Sequence, residues 1–268
     1  MRIDFHTYIG HWPFRQLRGN TPAGLIDYMR RFGIDQAVVS NLNGVFYKNT
    51  QPANEELAEA IKAFPGRFIP YAVINPTYPD WEYDLEVCHT KLGMRGLRIY
   101  PQYHDYKLTD PRLAKLLELA RGASLPVAFS RWLVDDRQHS WMDIGGQLTL
   151  DDLVPVMKDN PGTFVLLNTT MAPLKDEHLA ALRNVDVYFD TVYATACLPH
   201  ASGYDVRRLV EVFGAGRFLF GSGYPFRDPV SALVRLEIVK EFDHSMMDAI
   251  WSGNALRLLA HTPRQAGR

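Results

Sequence analysis

Nine side chains in this sequence could take part in one piece of proton-transfer or acyl chemistry: His6, Tyr8, Arg98, Tyr100, Ser130, Asn168, Asp190, Ser222 and Tyr224. His6 titrates near neutral pH and is the candidate general base. Asp190 could orient it, or act itself if burial raises its pKa. Tyr8, two residues beyond His6, completes the candidate catalytic set. With Tyr100 and Tyr224 it could donate a hydrogen bond to a carbonyl or a developing oxyanion. The planar fork of Arg98 suits a substrate carboxylate. Ser130, Asn168 and Ser222 would add neutral donors and acceptors around a substrate. Each residue also has a plain alternative. The tyrosines could be packing aromatics with one satisfied hydroxyl. Arg98 could pair internally with Asp4 or Asp190, and a strand-end polar group could bond nearby backbone. No nucleophile motif emerges. Ser222 lies in Gly-Ser-Gly, but Tyr224-Pro225 follows rather than a helix, so the nucleophile-elbow pattern is not met. Ser130 beside Arg131, and Cys197, have no supporting pattern as nucleophiles.

These residues need elements to bring them together. The stretch from Arg2 to His11 reads as a strand, with Ile3 and Phe5 alternating against Asp4 and His6. The alternation predicts that Asp4, His6 and Tyr8 share one face. Strand patterns recur at Asp35–Asn41, Arg67–Asn75, Gly93–Tyr100, Pro126–Ser130, Thr163–Asn168, Val185–Thr191 and Arg217–Ser222. Helical patterns lie between them. Thr21-Pro22 opens the first and Gly33 ends it; others run over Asn54–Phe64, Trp81–Leu92, from Asp110-Pro111, over Leu150–Lys158, Lys175–Arg183 and Tyr204–Phe213. Val230–Lys240 and Ser245–Leu259 close the chain. Eight strands alternating with helices, without a composition break, predict one α/β domain over residues 1–268: a (β/α)8 TIM barrel with a closed parallel sheet and outer helices. Residues 263–268 would be a frayed tail. In such a barrel the nine side chains fall at the C-terminal strand ends, where sites form. Leu97 and Ile99 would face the helices; Arg98 and Tyr100 would point inward.

Composition narrows the function classes. The 268 residues carry 29 basic and 30 acidic side chains, a net charge of −1, so nothing calls for nucleic acid or an anionic membrane as partner. No Gly-x-Gly-x-x-Gly follows the first strand and no phosphate loop is present. Two cysteines, Cys88 and Cys197, do not make a disulfide framework, and no signal or bilayer-spanning run is seen. The expected setting is cytoplasmic, the expected partner a small-molecule substrate, with a homo-oligomer left open. The long connection Arg131–Gln147, with Trp132, Trp141 and Met142, could cover a ligand or make a subunit contact.

Several segments carry a family resemblance: Ile3-Asp4-Phe5-His6, Gly96-Leu97-Arg98-Ile99-Tyr100-Pro101, Leu125-Pro126-Val127, Phe220-Gly221-Ser222-Gly223-Tyr224-Pro225 and Asn254-Ala255-Leu256-Arg257-Leu258-Leu259. Over nearly the whole chain the pattern resembles the amidohydrolase-related (amidohydrolase 2) family of metal-dependent TIM barrels, which includes decarboxylases and lactonases of small aromatic acids. The resemblance also implies where this chain departs. The family's first-strand His-x-His reads His6-Thr7-Tyr8 here. Its fifth-strand and sixth-strand histidines fall at Ser130 and Asn168, and its eighth-strand Asp at Gly223. Only His6 remains of the metal ligands, too few for a catalytic divalent ion. The expectation is therefore no metal and no cofactor, and a lactonase-like hydrolase acting on a small carboxylated substrate. Metal-independent lactonases of the related group are a precedent, although they keep the eighth-strand Asp. Two alternatives stand beside it. One is a non-catalytic barrel that binds a small acid or serves as a subunit or sensor. The other is a metal-dependent hydrolase or decarboxylase with ligands relocated to His11, His104 or His139.

Overall fold

The computed structural model describes residues 1–134, 138–168, 175–192, 206–238 and 243–260. Its strands are β1 (Ile3–Ile9), β2 (Gln36–Asn41), β3 (Phe68–Pro70), β4 (Ala72–Val73), β5 (Leu97–Ile99), β6 (Val127–Ser130), β7 (Thr163–Leu167), β8 (Asp186–Asp190) and β9 (Phe218–Leu219). Outside them lie α1 (Pro22–Phe32), α2 (Asn43–Phe46), α3 (Gln51–Ile61), α4 (Trp81–Thr90), α5 (Pro101–His104), α6 (Pro111–Gly122), α7 (Leu150–Asp159), α8 (Asp176–Leu182), α9 (Val206–Phe213), α10 (Pro229–Ile238), α11 (His244–Asp248) and α12 (Asn254–Ala260).

Local chemistry sets the helix ends. Thr21 accepts the Gly24 amide at the start of α1, with Pro22 in the first turn, and Gly33 in the left-handed region (φ 64°) ends it. Asp110 caps α6 in the same way, and Thr149 with Asp152 forms a capping box on α7. Each such cap contributes about 1 kcal/mol. The last helical stretch, predicted over Ser245–Leu259, is interrupted by a π-helical turn at Ala249–Gly253. The predicted helix start at Tyr204, the end at Lys240, Cys197 and the tail from Pro263 lie outside the described residues.

Every strand pairs in parallel with its neighbours, in the orders β1-β2-β3 and β4-β5-β6-β7-β8-β9. Two seams join these into a ring. Strands β3 and β4 are halves of one extended run split at Tyr71. The Tyr71 amide donates to Val39 of β2 at 2.9 Å, and the Ala72 amide donates to Gly96, just before β5, at 2.9 Å. At the other seam the Phe5 amide donates to Phe220, the Gly223 amide to His6 and the Tyr8 amide to Tyr224, at 2.8, 2.9 and 2.9 Å. The eighth strand thus continues past Leu219 as a hydrogen-bonded extension against β1, and eight parallel strands close into a barrel.

Apolar residues fill three layers. Inside the barrel, Ile3, Phe5, Val38, Ala128, Val165 and Leu219 pack together, with Leu258 and Leu259 of α12 closing the N-terminal end. Leu97 and Ile99 belong to the large layer between strands and helices, as the alternation predicts. At the C-terminal mouth, Trp12, Tyr103 and Phe226, flanked by Phe14 and Phe46, build an aromatic plug over the strand ends. The short helices α2 and α5, absent from the sequence pattern, carry Phe46 and Tyr103 into that plug. Among the described residues no helix is long and apolar enough to cross a membrane.

Candidate active site

The register of β1 against β2 slips between Asp4 and Thr7: Asp4 lies opposite Ala37, but Thr7 lies opposite Val39. Three steps on β1 match two on β2, the signature of a β-bulge. The predicted shared face of Asp4, His6 and Tyr8 is therefore corrected. The bulge turns His6 and Tyr8 into the barrel, on the side of Ile3 and Phe5, and leaves Asp4 facing α1. There the Asp4 carboxylate accepts the Tyr28 hydroxyl at 2.6 Å and the amides of His6 and Ser222 at 3.0 Å each.

His6 finds its partners across the barrel. Its Nδ1 lies 2.6 Å from Asp190 Oδ2, and its Nε2 lies 2.8 Å from the Tyr8 hydroxyl. Asp190 also accepts the Asn168 amide at 3.1 Å. An ionised carboxylate only accepts, so His6 Nδ1 carries the proton. In the neutral ring Nε2 is then an acceptor, and Tyr8 donates to it. Asp190, His6 and Tyr8 form a directed chain of hydrogen bonds, with Ser130 Oγ 3.4 Å from the Tyr8 oxygen at its end. Gly221 makes the chain possible. A Cβ there would stand 2.9 Å from His6 Cβ and 3.2 Å from Asp190 Cβ.

Burial sets the electrostatics. His6, Tyr8, Ser130 and Asp190 are 0–1% exposed. Desolvation pushes the His6 imidazolium down to about 4; Asp190 opposes this, while the charges of Arg98 and Arg227 add to it. His6 is thus a neutral base at physiological pH. Desolvation raises the Tyr8 phenol well above its ordinary value, which keeps it protonated until a base takes the proton. Asp4 is raised to about 6, again by burial.

The remaining predicted residues divide. Tyr100 and Ser130 stand with the chain; the Tyr100 hydroxyl lies near Ser40, Ser130 and Arg98 without a well-formed hydrogen bond. Arg98 is corrected from a carboxylate clamp, and equally from an ion pair with Asp4 or Asp190. Its Nη1 donates to Thr7 O at 2.7 Å and Ser40 Oγ at 3.1 Å, and its Nη2 to Phe5 O at 3.1 Å. It ties the irregular part of β1 to β2, with its Cζ 4.5 Å from the Tyr8 ring centroid. Asn168, in the left-handed region at φ 59°, turns aside and donates to Trp132 O at 2.6 Å. Ser222 and Tyr224 are not brought to His6. Ser222 accepts the Tyr224 amide at 3.1 Å, and Tyr224 stacks on Tyr28 at 4.5 Å, in a second group around Asp4. The Tyr100 hydroxyl, Arg98 Nε and Asn168 Oδ1 are buried without a partner. Leaving such a group buried and unpaired costs about 1–3 kcal/mol.

Among the described residues the loop histidines join no cluster of metal-ligating side chains. His11 is exposed, His104 Nε2 lies 2.9 Å from Gly44 O, and His139 Nε2 lies 3.4 Å from an Asp143 oxygen. The connection Arg131–Gln147 packs Trp132, Leu133 and Val134 inward but leaves Trp141 91% exposed. Sequence reasoning missed Arg227, Tyr28 and Trp12. For Arg227 a signal was available: it follows the eighth strand in Tyr224-Pro225-Phe226-Arg227, a rim position.

The sequence matches the family profile described as Amidohydrolase (Amidohydro_2) over residues 3–260. The chain belongs to this amidohydrolase family. No curated protein matches it. Among solved structures it is similar to a dihydroxybenzoic acid decarboxylase from Polaromonas sp. JS666, solved with bound manganese and the inhibitor 2-nitroresorcinol, at 16% identity and TM-score 0.76, covering 97% of this chain and 96% of that one. It is also similar to a 2,6-dihydroxybenzoate decarboxylase from Rhizobium (15% identity, TM-score 0.74, 97% and 98% covered). A third is an uncharacterized TIM-barrel protein from Bordetella bronchiseptica (20% identity, TM-score 0.70, 97% and 99% covered). At these identities the likeness is one of fold.

A metal ion at the family's position would need about three imidazole, carboxylate or thiolate donors. Here both His6 nitrogens are engaged, one on Asp190 and one on Tyr8. Ser130 and Tyr8 offer neutral hydroxyls, Asn168 an amide oxygen, and Gly223 nothing. Among the described residues the one group with converging ligand atoms is Asp151, Glu177 and His178, which sits on α7 and α8, away from His6. The described residues do not fit the family's metal.

Proposed function

We propose that this amidohydrolase-family barrel hydrolyses a small carboxylated lactone or ester without a metal, using the Asp190–His6–Tyr8 chain. The observation that supports it is the pair of distances, 2.6 Å and 2.8 Å, that links a carboxylate, a neutral imidazole and a phenol in one direction. The arrangement follows the logic of a nucleophile–base–orienter triad. Water attacks the lactone carbonyl and passes a proton to the Tyr8 oxygen as Tyr8 gives its own proton to His6 Nε2. The oxyanion takes a hydrogen bond from Tyr100. When the tetrahedral intermediate collapses, the ring C–O bond breaks and His6 returns its proton through Tyr8 to the departing alkoxide. Asp190 stays ionised and steadies the transient imidazolium. The Arg98 charge against the Tyr8 ring eases the build-up of negative charge on the phenol oxygen as the two protons move. The dihydroxybenzoate decarboxylases of similar fold support a small aromatic acid as the substrate class. The exposed Trp141 supports a subunit contact at the loop tip.

Turnover of a panel of carboxylated lactones and esters, with and without chelator, tests this. The expected result is hydrolysis that survives chelator and is abolished by His6→Ala. Chelator-sensitive turnover, or a tightly held zinc or manganese, sinks it. A second reading, a non-catalytic binder of a small acid, is favoured by the near-zero exposure of the whole chain beneath the aromatic plug. Its mark is ligand-induced thermal stabilisation without turnover.

A further inference from the structure

A cavity of about 690 Å³ opens on the flank of the barrel, beside the second polar group around Asp4. Its walls are the loop after β1, one face of α1 and the segment after β9. Gly24, Asp27, Tyr28 and Arg31 follow the i, i+3, i+4, i+7 spacing of a single helical face, so α1 presents them together. His6, Tyr8 and Asp190 do not line this cavity. Its size suits a small molecule.

Tyr224 forms the aromatic part of the wall. Its ring stacks on Tyr28, with centroids 4.5 Å apart and planes 15° from parallel. Its hydroxyl lies against Gly19, where a Cβ would collide with the Tyr224 oxygen. Gly19 is also in the left-handed region at φ 74°, so close approach and backbone conformation both call for glycine there.

Four arginines and two acids line the cavity, an excess of two positive charges. Two of the arginines are engaged. Arg15 donates to Gln138 Oε1 at 2.6 Å and to Phe226 O at 2.9 Å, and the Arg227 guanidinium lies 5.4 Å from the Trp132 ring centroid. Both acids are engaged as well. Asp27 accepts Arg30 Nη1 at 3.2 Å, and Asp228 accepts the Val230 amide at 2.9 Å where α10 begins. Arg18 and Arg31 are exposed and have no hydrogen-bond or ion-pair partner among the described residues. The excess charge is therefore carried by two side chains open to a ligand.

We propose that this cavity is a second binding site, for an aromatic phosphate monoester, with Arg18 and Arg31 on the phosphate and Tyr224 against the ring. A phosphate monoester carries about two negative charges at neutral pH and three strong acceptor oxygens, which matches two guanidiniums. Such hydrogen bonds are charge-assisted, and each planar fork can take two oxygens at once. Inorganic phosphate would use the cations and leave the Tyr224 wall bare; a neutral ring would do the reverse. The site is separate from the His6 chain and stands whether or not the hydrolase reading does.

Calorimetric titration of the full chain with phenyl phosphate, inorganic phosphate, phenol and benzoate tests the assignment. Phenyl phosphate is expected to bind tightest, by about tenfold over inorganic phosphate, the worth of one stacked ring. Its affinity should fall as salt is raised, because the two cations are exposed. Arg18→Gln and Arg31→Gln, both at exposed positions, should each weaken it several-fold. Arg121→Gln, which removes the same charge from α6 outside this cavity, should leave it unchanged. Phenyl phosphate binding that survives in the Arg18→Gln/Arg31→Gln double variant overturns the proposal. Inorganic phosphate or benzoate binding as tightly as phenyl phosphate overturns it too, as does the absence of phenyl phosphate binding in wild type.

Discussion

His6 Nδ1 and Asp190 Oδ2 lie 2.6 Å apart, joining residues separated by 184 positions in the chain, with neither side chain open to solvent. The pair spans from β1 to β8, the two strands that flank the eighth-strand extension. It decides which His6 nitrogen bears the proton, and so the direction of the whole hydrogen-bond chain.

Asp190→Asn should leave the fold intact and collapse turnover. The Asn oxygen would keep the Asn168 amide, which turns its NH2 toward His6 Nδ1. That forces the proton onto Nε2, and His6 would then donate to Tyr8 instead of accepting from it. A loss in kcat of about 10³–10⁴ is expected from the equivalent change in a serine-protease triad. Nitrogen-15 spectra of the imidazole would report the tautomer directly, and an unchanged tautomer would refute the account.

Tyr8→Phe separates chemistry from packing. The ring keeps its contacts with Arg98 and with Phe226, whose centroid is 5.5 Å away. Stability should fall by only about 1–2 kcal/mol, from the lost hydroxyl and the bare His6 Nε2. Turnover should disappear. Chemical denaturation paired with steady-state kinetics would show this split; parallel losses would reduce Tyr8 to a structural role.

Two buried groups should give opposing pH slopes. Asp4 is raised to about 6 from 3.8, so the folded state holds its proton more tightly than the unfolded chain. Its contribution makes stability fall as pH rises from about 4 to 6. His6 is lowered to about 4 from 6.5, so the unfolded chain binds the proton more tightly. Its contribution makes stability fall as pH drops from about 6.5 to 4. The slopes oppose in the shared window and leave wild type nearly flat there. Asp4→Asn should unmask acid sensitivity, and His6→Gln should unmask a decline with rising pH. Denaturant midpoints between pH 4 and 7 would check both signs.

Arg98→Lys keeps the charge but loses the fork that holds Phe5, Thr7 and Ser40 together. With two or more of these bonds gone, the expected cost is about 2–4 kcal/mol. A melting temperature within a degree of wild type would contradict the bracing role.

The barrel was readable because its signals are local. Thr21-Pro22 and Asp110-Pro111 announce helix starts through hydrogen bonds made within one turn. The alternation around Arg98 correctly sent Leu97 and Ile99 to the helix layer. The short helices α2 and α5 were not readable: four residues each carry no periodicity, and what they position is an aromatic plug assembled from four separate loops. The site was read in part. His6, Tyr8, Ser130, Tyr100 and Asp190 do meet, but Ser222 and Tyr224 join Asp4 and Tyr28 instead.

From its residues alone this protein was an eight-stranded α/β barrel of amidohydrolase type, carrying polar side chains at its strand ends. Folding chose the partners. Period-two counting assumes an unbroken ladder, and the bulge between Asp4 and Thr7 breaks it. That one extra residue separates Asp4 from His6, hands His6 to Asp190 and gives Arg98 backbone carbonyls to hold. Contacts of this kind depend on the path of the backbone between distant strands, which no local spacing of side chains records.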